Sequence, residues 1–156
     1  MSVKEDLVPI PKLRPNGDLP PGIYLATILE VEEIFGQSSE RRKKLMAGLK
    51  TVISIFKNAG VRKLYLDGSF ISNKIDPDDI DGCWSMIGVN LNKLDKRFWD
   101  FENLKELEKN RNELKELFGI DFYIAENIEG ESGILFPIFF QRNHDGEPKG
   151  MIRIDL

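Results

Sequence analysis

Val61-Arg-Lys-Leu-Tyr-Leu-Asp-Gly-Ser69, nine further residues, and then Asp79-Ile-Asp81 form the stretch on which the reading of this chain turns. Val61 to Leu66 is a short apolar run of strand type, so Gly68 and Ser69 fall where a strand ends and the backbone turns. Asp79 and Asp81 are two residues apart. In a strand side chains repeat every second residue, so both carboxylates leave the same face. Two carboxylates side by side are costly to keep ionised unless a cation joins them. Gly68 lets backbone approach an anion with no Cβ in the way, and Ser69 adds a hydroxyl and an amide. A phosphate-sized turn feeding a carboxylate pair is minimal equipment for a metal-bound nucleotide.

Outward from this stretch, periodicity sets the surrounding elements. Thr27-Ile-Leu-Glu30 has capping-box spacing and opens a short helix that Gly36 stops at Phe35. Ser38 or Ser39 caps a longer helix through Asn58, closed by Gly60. Its apolar positions Leu45, Leu49, Val52, Ile53 and Phe56 recur at helical spacing. Asp79 to Ile87 reads as a second strand, with Asp79, Asp81, Cys83 and Ser85 on a wet face and Ile80, Trp84 and Met86 on a packed one. Phe101 to Phe118 is an amphipathic helix with Leu104, Leu107, Leu114 and Leu117 on its apolar side, ending at Gly119. Ile120 to Ile124 is a third strand, and Ile134 to Gln141 and Met151 to Leu156 are two further β segments. The expected fold is α/β (α+β): a small mixed sheet flanked by helices.

Five of the eight prolines fall in the first 21 residues, so residues 1–22 read as an extended arm whose interleaved apolar side chains pack along one domain, residues 23–156. The 156 residues suffice for one core, and 41% apolar with 31% charged residues is ordinary for a globular chain. No apolar run is long enough for a membrane span, and no secretion signal is visible at the start. A single cysteine, Cys83, points to the reducing cytoplasm and to no nucleophilic role. A net charge of −4 gives no strong nucleic-acid signal. Charge is segregated: Arg41 to Lys44 begins a basic region read as a solvated helix face, and Asp67, Asp76, Asp78, Asp79 and Asp81 crowd the next.

Phosphoryl and nucleotidyl transfer are mostly positioning and charge neutralisation, to which Mg²⁺ or Mn²⁺ is suited. A third carboxylate is wanted beside the pair. Asp121, alone in an apolar strand, is the candidate, although a strand aspartate can also accept a backbone hydrogen bond. Lys74 could meet a phosphate or be solvated, and Lys149 carries the same two readings. Asp67 is either a fourth site acid or a turn residue. His144 reads as surface, and Trp84, Phe139 and Phe140 as core. An EF-hand fails on spacing, because Pro77 would take its first position and Gly88 its bidentate glutamate. No P-loop or dinucleotide glycine pattern is present.

Gly68-Ser69, Asp79-Ile80-Asp81 and Asp121 on a later strand resemble the nucleotidyltransferase superfamily best known from polymerase beta. Within it, Leu19-Pro-Pro-Gly22, Ala26-Thr27, Leu66-Asp-Gly-Ser-Phe70, Asp79-Ile-Asp-Gly82, Phe139-Phe-Gln141 and Pro148-Lys-Gly150 are similar to a family of short, mostly uncharacterised bacterial nucleotidyltransferase-like proteins. The resemblance implies that Asp79 and Asp81 bind catalytic metal and that Asp121 completes the triad; Gly68, Ser69 and Lys74 are the candidates to meet an NTP, with ATP taken first. A nucleoside monophosphate would then pass to a hydroxyl. The chain departs from the superfamily pattern at Asp67 and Gly82, where apolar residues are usual, and it lacks a recognisable acceptor domain. These departures keep a second reading open: a nucleotide-binding or partner-binding protein on the same scaffold, such as an antitoxin-like component. A third reading is a structural α/β domain whose acids never meet metal.

Overall fold

The backbone is organised around a five-stranded mixed sheet whose strands lie in the order β1-β5-β2-β3-β4. The structure is a computed structural model and describes residues 10–100, 104–127, 129, 133, 135–143 and 145–156. Its strands are β1 (Gly22–Leu25), β2 (Lys63–Asp67), β3 (Ile80–Trp84), β4 (Ile120–Ile124) and β5 (Gly150–Asp155). Strands β2 and β3 are antiparallel, as are β2 and β5, while β1 runs parallel to β5 and β3 parallel to β4. The fold is therefore the small α/β arrangement expected. Among the described residues no helix is long and apolar enough to cross a membrane.

Helices α1 (Ile28–Phe35), α2 (Glu40–Ala59) and α3 (Leu104–Phe118) contribute the main core against one face of the sheet. Alternation dictates which strand residues they meet: Leu64, Leu66, Ile80, Trp84, Ile120, Phe122, Ile152 and Ile154 all point into that core. The cap chemistry is as the spacing requires. Thr27 and Glu30 form a reciprocal capping box on α1, Ser39 accepts from the Arg42 N–H at the start of α2, and Gly60 ends α2 in the left-handed region. Residues 1–9 of the proline-rich arm lie outside the described residues; its described part, residues 10–21, packs on the domain through Leu19, which is fully buried and accepts a hydrogen bond from the Gly150 N–H. A side chain at Gly150 would collide with the Pro20 carbonyl.

Several sequence readings need correction. Strand β1 pairs with β5 where no strand was expected, because its partner lies more than 120 residues away in the chain. Of the stretch 134–141, read as a strand, residues Phe136–Phe139 form a short helix, α4. Pro137 explains it: proline has no N–H for a ladder but is tolerated in a first helical turn. The face of β3 read as wet opens to a cavity only at Asp79 and Asp81; Cys83 is fully buried, in a second cluster with Ala125, Phe136, Tyr65, Tyr123 and Phe140. On α3, Leu114 is buried but Leu117 is exposed, and residues 101–103, where that helix was expected to begin, lie outside the described residues.

A further correction concerns Arg42, which belongs to the run read as solvated yet is only 2% exposed. Its guanidinium donates to the carbonyls of Phe35 (2.9 Å), Phe70 (2.7 Å), Ser72 (2.9 Å) and Lys74 (2.6 Å), and lies 5.2 Å from the Phe70 ring centroid. A rigid five-donor fork thus gathers the loop joining β2 to β3. Arg41 adds bonds to the carbonyls of Pro77 and Asp78. Arg42→Met should lower unfolding free energy by about 3 kcal/mol or more in urea titrations, because several buried carbonyls lose charged donors together. Arg42→Lys should recover little of this. A loss below about 1 kcal/mol would remove Arg42 from this role.

Candidate metal and phosphate site

Register builds the site. Asp67 stands opposite Asp81 across the β2–β3 pairing, and Asp81 stands opposite Asp121 across the β3–β4 pairing. Three aspartates therefore form a row across adjacent strands, and Asp79 joins them from the residue before β3. Oxygens of Asp79, Asp81 and Asp121 all lie within 4.8 Å of one another. The three acids singled out in the sequence thus converge, and Asp67, left between two readings, is a buried fourth member at 3% exposure.

The turn that the sequence placed beside them is there. Gly68 has φ +76°, and a Cβ on it would overlap Oδ2 of Asp81. No other residue type can bring this backbone so close to that carboxylate. Ser69–Ile71 then forms a single 3-10 turn. Gly68, Ser69, Lys74, Asp79 and Asp81 line a common cavity of about 760 Å³ together with Asp67, Lys115, Phe139, Phe140, Arg142 and Lys149. Gly82, the other departure from the superfamily pattern, lies against Phe122 and the Tyr65 backbone on the packed side, where a Cβ would strike the Tyr65 carbonyl.

Cations hold three of the four acids. Arg111 grips Asp121 through two hydrogen bonds of 3.0 and 2.9 Å, Lys115 meets Asp79 at 3.0 Å, and Lys149 meets Asp67 at 3.1 Å. Arg111 and Lys115 are four apart on α3, which puts them on one helix face. Asp81 has no such partner among the described residues. Burial, then the charges of Asp79, Asp121 and Asp67, push its carboxyl up to about 7. Burial likewise raises Asp67 to about 6, with Lys149 opposing it. Burial pushes the Cys83 thiol far above its usual range, in keeping with a packed, unreactive residue.

The sequence missed Arg111 and Lys115 as site cations, and Lys149, left between a phosphate contact and solvation, pairs with Asp67. The spacing of Arg111 and Lys115 just before the Asp121 strand was the available signal. Phe139 and Phe140, read as core, instead line the cavity, and Phe139 is 38% exposed. Trp84 is core as expected. His144 lies outside the described residues.

The donor set fits a hard divalent cation. The trio offers carboxylate oxygens, Asp81 has no counter-charge of its own among the described residues, and a carboxylate held by arginine keeps further lone pairs. Without such a cation the fold carries a linkage. Asp81 stays protonated in the folded chain well above the ordinary carboxylate range, so its contribution to stability is present at acid pH and is lost as pH rises towards 7. In EDTA, wild-type Tm should fall between pH 5 and pH 7.5, and Asp81→Asn should flatten that fall, by about 2–4 °C for each kcal/mol recovered. Equal pH slopes in the two proteins would contradict Asp81 as the group responsible.

No solved structure matches the chain. Segments far apart in the sequence nevertheless meet here: Asp18 of the arm, the three strands that carry Asp67, Asp81 and Asp121, and Lys149 before the final strand all contribute to the region around the site. All of them lie within a single match to a protein family. The chain belongs to the family of unknown function DUF6932, which it matches over residues 11–155.

Proposed function

We propose that this chain is a metal-dependent nucleotidyltransferase, acting in the cytoplasm, that moves a nucleoside monophosphate from an NTP to a hydroxyl acceptor. The observation that carries the reading is the convergence of Asp79, Asp81 and Asp121 within 4.8 Å beside the Gly68 turn. Asp79, Asp81 and Asp121 would hold Mg²⁺ or Mn²⁺, which when bound neutralises charge on phosphate oxygens and favours ionisation of a hydroxyl. Gly68 and Ser69 would hold the triphosphate, with Lys74 in the same cavity. The acceptor oxygen bonds to the α-phosphorus, the bond from that phosphorus to the bridging oxygen breaks, and pyrophosphate leaves with the electron pair. The acceptor proton passes to a carboxylate of the trio.

A second reading is favoured by one observation: Arg111 and Lys115 already neutralise Asp121 and Asp79. On that reading the same pocket binds a nucleotide, or the domain binds a protein partner as an antitoxin-like component would, with no transfer. Incubation with each NTP, Mg²⁺ and a panel of hydroxyl acceptors separates the two. Transfer predicts pyrophosphate release that Asp79→Ala lowers by roughly 100-fold or more, with folding unchanged by circular dichroism. Release that survives Asp79→Ala undiminished would end the enzymatic reading, and nucleotide binding without release would favour the second.

A further inference from the structure

The site cavity has an aromatic wall as well as acids. Phe139 and Phe140 line the same space as Gly68, Ser69 and Asp81. Their rings are 5.6 Å apart and steeply inclined, at 64°. Phe140 is backed by Phe136, 5.8 Å away and stacked, and Phe136 in turn stacks on Tyr123 at 4.4 Å. Tyr123 is itself held by the Arg111 guanidinium, 4.8 Å from its ring centroid. A stack of this kind fixes ring orientation at little further entropic cost on binding. Phe139, at its open end, keeps 38% of its surface exposed.

Cations in the cavity fall into two groups. Lys115 and Lys149 are engaged by Asp79 and Asp67. Lys74 and Arg142 line the cavity and meet no carboxylate among the described residues. Two such cations, a glycine turn and an aromatic wall in one space suit a polyanion joined to a flat ring. A volume of about 760 Å³ accommodates a ligand of that size.

We infer that Phe139 and Phe140 form the wall on which the nucleobase stacks, with Lys74 and Arg142 facing the phosphates of the same nucleotide. This rests on the proposed nucleotide reading of the site. The wall sets which end of the cavity the base occupies and makes a base-bearing ligand bind more tightly than its phosphates alone.

Calorimetry with each of the four NTPs and with base-free tripolyphosphate, all with Mg²⁺, tests it on wild type, Phe139→Ala and Phe139→Trp. The tightest NTP should bind Phe139→Ala about tenfold more weakly, as loss of one base–aromatic stack does, with tripolyphosphate affinity unchanged and Phe139→Trp near wild type. Unchanged NTP binding by Phe139→Ala, or equal loss of both ligands, would overturn the stacking wall while leaving the phosphate site standing. Failure of wild type to bind either ligand would remove the nucleotide reading itself, and the wall with it.

Discussion

Carboxylates set opposite one another on adjacent strands repel, and in this protein the antiparallel β2–β3 pairing and the parallel β3–β4 pairing put three in one row, Asp67, Asp81 and Asp121. Asp79 adds a fourth charge from the edge of β3. Such a row cannot be kept ionised in a half-buried position without counter-charge. Much of the structure at this end of the sheet supplies it: Lys149 from the loop before β5, and Arg111 and Lys115 from α3. Asp81, at the centre, is the member left without one among the described residues, and its raised carboxyl pKa records the deficit.

The surrounding framework keeps that row in place. Arg42 ties the loop between β2 and β3 to α2, so Gly68 and Asp79, at its two ends, are fixed relative to each other. The Gly68 backbone is pressed against the Asp81 carboxylate, where any Cβ would displace it. On the sheet face that carries the acids, the aromatic cluster around Phe136 covers Cys83. Burial of Asp67 and partial burial of Asp81 strengthen the charge interactions there. The proposed chemistry needs such a place, and so does a binding protein that holds a nucleotide without turning it over.

Much of this was legible in the sequence wherever a local rule applied. Strand β4 spans Ile120–Ile124 as the alternation required, and the Thr27–Glu30 box, Ser39 and Gly60 mark the helix ends as their chemistry demands. Asp79, Asp81 and Asp121 could be chosen because strand periodicity and the glycine turn constrain where their side chains go. What the sequence concealed is set by partners far away. Arg42 looks like its exposed neighbours until the loop carbonyls 28–32 residues later fold over it. Phe139 and Phe140 look like core because nothing local says that α4 lies beside the acids. Lys149 gains its role from Asp67, which is brought to it by β5 inserting between β1 and β2.

On the proposed reading the trio shares one divalent ion, for which the internal cations stand in. Anomalous diffraction from a crystal soaked with Mn²⁺ and a non-hydrolysable NTP addresses this directly. Expected is a manganese peak ligated by Asp79, Asp81 and Asp121, with Lys115 drawn away from Asp79. A nucleotide bound in the cavity with no peak at the trio, and with the Arg111–Asp121 and Lys115–Asp79 pairs intact, would contradict it.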